Sequence, residues 1–208
     1  MTRLIDISPP ITARTAVWPG DTGYTLDWVS RIDDGASCNV ASITTTPHLG
    51  AHADGPLHFA DGEPGVGELD LAPYLGPCRV VDVTGVRVVD AEAVHGIELF
   101  GTKRLLFKTG TFPDFETWND DFAYFDPEFL RRLAKTGVVL VGIDTPSVDP
   151  FDSKELPAHH VLREFGVRNL EGLDLSGVEA GAYELIALPL RLIEADGSPV
   201  RAVLRTVD

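Results

Sequence analysis

The 208-residue sequence predicts one mixed α/β domain, a sheet-built core flanked by few helices. Runs rich in β-branched and apolar residues clearly outnumber segments with helix signals, which argues against a doubly wound parallel fold. No internal repeat, low-complexity stretch or linker divides the chain, and its length suits a single sizeable core.

In chain order, residues 41–46 form a candidate strand leading into a histidine-rich segment, and 79–83 form a second. Residues 90–95 are expected as a short helix, and His95 as a histidine on its surface. Residues 104–108 and 138–143 are further strands. Between them, Asp126 as N-cap, Pro127 in the first turn and Gly137 past the end frame a helix over 128–135. Residues 157–166 repeat that pattern, with proline at the start and glycine at the end. There Ala158, Val161, Leu162 and Phe165 make an i, i+3, i+4, i+7 apolar stripe, with His159 on its margin and His160 nearly opposite. Residues 183–188 and 200–205 complete the strands.

The formal net charge of −15 argues against a nucleic-acid partner, because phosphate would be repelled. Cys38 and Cys78 lie far apart with no Cys-x-x-Cys pair, as expected of free thiols in a reducing cytoplasm. The opening Met-Thr-Arg-Leu-Ile-Asp carries charge too early for a signal peptide, and the apolar run at 137–143 is too short to span a bilayer.

Residues 48–58 concentrate the chemistry: His48, His52, Asp54 and His58 stand among Gly50, Gly55 and Pro56. Imidazole and carboxylate are the ligand set of zinc and related divalent metals. All four positions are even-numbered, so an extended backbone would aim them to one side; a helix would swing Asp54 away, and the prolines and glycines oppose one. The segment is read as a strand end running into a tight loop that holds a metal. His159 and Glu171, the latter followed by Gly172, are candidates to complete a sphere for which 48–54 supplies only three good ligands.

The motif His-Leu-Gly-Ala-His-Ala-Asp-Gly-Pro-Leu-His resembles the signature of the metal-dependent cyclase/formamidase family. Segments 4–9, 17–21, 142–147, 158–160, 170–172, 183–190 and 198–202 extend the likeness over nearly the whole chain and narrow it to the formamidase branch. Ala51, where the wider family often has threonine, is usual in that branch. The resemblance implies a compact α/β domain around a mostly antiparallel β core, commonly a homodimer. It also implies two divalent ions, usually zinc: His48, His52 and Asp54 on one, Asp54 and His159 on the other, Glu171 bridging both. His58 matches the family's catalytic histidine and Trp18 its substrate-contacting tryptophan. The implied reaction is hydrolysis of a small aromatic formamide, N-formyl-L-kynurenine, to L-kynurenine and formate in tryptophan breakdown.

Alternatives stay open at this stage. His58 serves as acid/base or as a fourth ligand, and Trp18 stacks on substrate or packs in the core. Trp28, Trp118 and the 112–125 phenylalanine cluster are read as packing; Asp144, Ser147 and Asp149 are placed in a loop near the site without a catalytic role. The rival functions are a related hydrolase opening the cyclic amide isatin, and a non-catalytic metal-dependent binder of aromatic amides. A serine hydrolase would need a Gly-x-Ser-x-Gly elbow, and neither that nor a dinucleotide or phosphate-loop motif occurs.

Overall fold

The computed structural model describes residues 2–99 and 101–207. Its strands are β1 (Leu4–Asp6), β2 (Thr25–Ser30), β3 (Val40–Thr44), β4 (His52–Asp54), β5 (Leu75–Asp82), β6 (Val88–Val89), β7 (Arg104–Lys108), β8 (Tyr124–Phe125), β9 (Leu140–Ile143), β10 (Arg168–Leu170), β11 (Gly181–Ile186), β12 (Gly197–Pro199) and β13 (Val203–Thr206). The α-helices are α1 (Pro127–Lys135) and α2 (Pro157–Phe165).

Seven strands form the main sheet in the order β1-β13-β11-β5-β7-β9-β10. The pairings from β1 through β5 are antiparallel; those from β5 through β10 are parallel. The parallel half follows from composition. β7 and β9 are buried on both faces and read as continuous apolar runs, Leu105-Leu106-Phe107 and Leu140-Val141-Gly142-Ile143. Alternate residues then serve opposite cores. Val81, Leu105 and Phe107 meet Phe129, Leu130 and Leu133 of α1 and Val161 and Leu162 of α2. Val80 and Leu106 face the other way, onto Ala51, Ala53, Leu170, Leu185 and Leu204.

Both helices obey their sequence signals. Asp126 Oδ1 accepts from Phe129 N at 2.7 Å, and Gly166 closes α2 at φ 66°. Residues 90–95 do not form the expected helix. Asp90 Oδ1 does accept from Glu92 N and Ala93 N, but only turns follow before Gly96 at φ 80°. One cap cannot carry so short a segment, whose nucleation cost exceeds what a single turn returns. The 41–46 strand also differs from expectation: as β3 it ends at Thr44 and pairs with β2 in a separate two-stranded arm, and a loop intervenes before the metal motif.

Candidate metal centre

The short strand β4 sits between two neighbours. β12 pairs with it antiparallel, Pro199 opposite His52 and Gly197 opposite Asp54. On its other side His52 and Glu171 exchange both backbone hydrogen bonds, at 3.1 and 3.0 Å. Two glycines make this packing possible. A Cβ on Gly172, at φ 62°, would lie 2.2 Å from the Gly50 carbonyl oxygen, and one on Gly197 would lie 2.7 Å from His48 Cε1.

The structure brings His48, His52, Asp54, His159 and Glu171 together. Asp54 Oδ1 lies 3.0 Å from His48 Nδ1 and 3.6 Å from His52 Nε2; Asp54 Oδ2 lies 3.3 Å from His159 Nε2. Glu171 reaches His52 Nε2 at 3.2 Å through one oxygen and His159 Nε2 at 3.4 Å through the other. His52, Asp54, His159 and Glu171 are buried, whereas His160 is exposed, so His159 is the inward histidine of α2.

Each clustered histidine has its second ring nitrogen anchored. His52 Nδ1 donates to the Gly50 carbonyl at 2.9 Å, His159 Nδ1 to Asp149 Oδ2 at 2.7 Å, and His48 Nε2 to Asp196 Oδ2 at 3.0 Å. Such anchoring fixes ring orientation and leaves the other nitrogen free to bind a metal. The carboxylates are held as well: Asn169 Nδ2 donates to Asp54 at 2.6 Å and to Glu171 at 3.0 Å, and Val148 N donates to Glu171 at 2.9 Å.

These residues fit a divalent cation. Asp54 Oδ1 is buried without a hydrogen bond, beside imidazole nitrogens and a second carboxylate. An orphaned buried carboxylate oxygen is costly unless a cation satisfies it. Among the described residues two groups have ligand atoms within 4.8 Å of one another: His52, Asp54 and Glu171, and His48, Asp54 and His58. His58 therefore stands within ligand reach as well as within reach of the cavity.

The charges reinforce one another. Burial works against ionisation of both carboxylates, yet neighbouring histidines hold Asp54 well below the usual range and Glu171 below it. Burial opposes a charged His48 too, but Asp54 and Asp196 outweigh it and raise its pKa to about 9. His58 moves the other way. Its burial lowers the pKa, so the ring is neutral at pH 7 and able to accept a proton.

A cavity of about 230 Å³ opens over this cluster, with Trp18, His48, His58, Pro146, Leu156 and His159 on its walls. Trp18 belongs to an aromatic group, its ring centroid 5.2 Å from Trp118 and 5.1 Å from Phe151. Trp118, read from sequence as packing, does pack, and with Phe112 and Phe115 it also lines a narrower pocket of about 40 Å³ next to Trp18. Trp28, also read as packing, does not pack in the core: it stands apart, exposed on the arm.

Sequence reasoning missed Asp196 and Asn169 and gave Asp149 no task. Asp149 also accepts from the backbone N–H groups of Ala158 and His159, at 2.9 and 3.0 Å, so one carboxylate caps α2 and aims its histidine. A helix opening with proline and no capping side chain of its own was the available signal. Asp196 and Asn169 carried none.

The Cyclase family model ("Putative cyclase") matches residues 5–150. The chain belongs to this family. It is 47% identical to a kynurenine formamidase of Bordetella avium, over 99% of both chains. A solved structure titled a potential metal-dependent hydrolase with cyclase activity superposes with a TM-score of 0.86 at 25% identity, covering 100% of both chains. Isatin hydrolase A of Labrenzia aggregata shares the fold, at TM-score 0.83 and 21% identity, over 100% of this chain and 94% of that one. Membership of the cyclase family agrees with the mixed α/β sheet and two helices described above.

Proposed function

We propose that the chain is an arylformamidase, hydrolysing N-formyl-L-kynurenine to L-kynurenine and formate. The observation that carries this is the convergence of His48, His52, Asp54, His159 and Glu171 beneath a cavity walled by Trp18 and His58. The full-length likeness to kynurenine formamidase, against a far more distant one to isatin hydrolase, supports the linear amide as substrate.

In this reading His48, His52 and Asp54 would hold one divalent ion, zinc by preference, and Asp54, His159 and Glu171 would serve a second. A divalent cation in such a site supplies a nucleophile usable at neutral pH and polarises the scissile carbonyl. The chain's own residues do the rest. Trp18 offers its face to the aryl ring, orienting the formyl carbon toward the cluster. Neutral His58 accepts the proton released as water adds to that carbon, then delivers it to the aryl nitrogen as the C–N bond breaks. One C–O bond forms, one C–N bond breaks, and formate and the free amine leave.

The exposed apolar side chains of the arm, Leu26, Trp28, Val29, Val40 and Ile43, support a homodimer. Two free cysteines support a cytoplasmic setting, and among the described residues no helix is long and apolar enough to cross a membrane. The test is turnover by zinc-loaded protein of N-formyl-L-kynurenine beside isatin, repeated after chelation. Rapid hydrolysis of the formamide, lost with the metal and restored by it, is expected. Preference for isatin, or full activity in metal-free protein, overturns the reading.

A further inference from the structure

Among the described residues, Asp196 is the one carboxylate that faces two histidines of the site from outside the candidate metal cluster. Its Oδ2 lies 3.0 Å from His48 Nε2 and 3.6 Å from His58 Nδ1, and the two imidazole rings stack at 4.1 Å between centroids. The side chain is half-exposed, but the backbone that carries it is fixed. The Asp196 carbonyl accepts from Gly55 N at 2.7 Å, Ala195 O accepts from Val66 N at 2.8 Å, and Leu192 O accepts from Gly67 N at 3.1 Å. A Cβ on Gly65 or Gly67 would collide with the backbone of residues 192–195, and one on Gly55 would collide with Val66 N and crowd the Asp196 carbonyl oxygen at 3.2 Å. Immediately afterwards β12 joins β4, so the position of Asp196 is tied to that of Asp54. The loop bearing His58 and the loop bearing Asp196 are thus zipped together, with the carboxylate on the Nδ1 side of His58.

We infer that Asp196 is a positioning residue for proton transfer: it turns the His58 ring so that Nε2 is presented to the reacting groups, while its bond to His48 fixes the carboxylate itself. The 3.6 Å approach closes to a hydrogen bond by a small rotation of either side chain, as approaches between catalytic groups often do when substrate binds. A carboxylate on the far nitrogen of a working histidine fixes tautomer and orientation together. This rests on the proposed acid/base role of His58.

The test is a double-mutant cycle on zinc-loaded protein, with metal content measured for every variant. Asp196→Asn keeps an oxygen that accepts from His48, so it should hold wild-type metal, fold normally and leave KM within about twofold. Its kcat should fall by about 10- to 100-fold, the usual loss when such a supporting partner is removed. In the His58→Ala background the same change should cost less than about twofold, because the group it serves is gone. Three results overturn the inference: unchanged kcat in Asp196→Asn, loss of a metal equivalent, or an undiminished loss in the His58→Ala background. Wild-type turnover in His58→Ala alone would instead sink the acid/base reading and the inference with it.

Discussion

Replacing His58 by alanine separates a proton shuttle from a fourth ligand, since the structure puts this ring within reach of either task. Metal content should stay at the wild-type level while turnover drops by about 100- to 10,000-fold. His52→Ala, which removes a buried nitrogen of the proposed ligand set, should lose metal as well as activity. Trp18→Ala should weaken binding of the aryl substrate by about 1 kcal/mol. A non-aromatic formamide run in parallel should show a smaller defect, and equal losses for both would return Trp18 to packing alone. Cys78 offers a pH test away from the site. Burial raises its thiol from 9.0 to about 12, so the fold favours the protonated form. That contribution is complete below pH 9 and disappears as pH rises toward 12; denaturant titrations should show stability falling across that window, with a shallower fall in Cys78→Ala. His52 and Asp54 were legible from sequence because an extended backbone turns even spacing into a shared face. Asp196 was not, because its partners lie 148 and 138 positions away in a chain whose acidic residues are scattered along its whole length.

Among the elements, α1 was readable because cap, first-turn proline and closing glycine agreed with one another. Asp126→Ala should cost about 1 kcal/mol of global stability, measured by thermal unfolding, with no change in metal binding. Gly197→Ala should act on metal binding as well. The added methyl group would collide with the His48 ring, so metal affinity should fall by about tenfold or more, beyond the stability loss that the metal-free protein shows for the same overpacking. The 90–95 segment and the arm show where local signals stop short. A cap proposes a helix but does not supply the length to sustain it, and β propensity in 41–46 says nothing about which sheet the strand joins. The parallel half of the main sheet went unread, since a mostly antiparallel core was expected; the unbroken apolar runs of β7 and β9 were its signal, but they do not set strand order.

For the molecule as a whole, the arm sets exposed Leu26, Trp28, Val29, Val40 and Ile43 on a chain of net charge −15. Sedimentation should give a homodimer, and Ile43→Lys should shift it toward monomer if the arm is the contact. The proposed metal centre has a further consequence for the chain as a polymer. Asp54 and His159 are 105 positions apart, and Glu171 lies beyond the far end of α2. An ion gripping them would act as a reversible cross-link, closing that long loop and removing its freedom from the unfolded ensemble. It would also span the two halves of the main sheet's history, joining a segment made before the parallel strands β7 and β9 to segments made after them. Folding of this chain should therefore be timed by cation supply: refolding yield in zinc-buffered solution should climb with free zinc, and chelated protein should reopen first where β4 lies against Glu171.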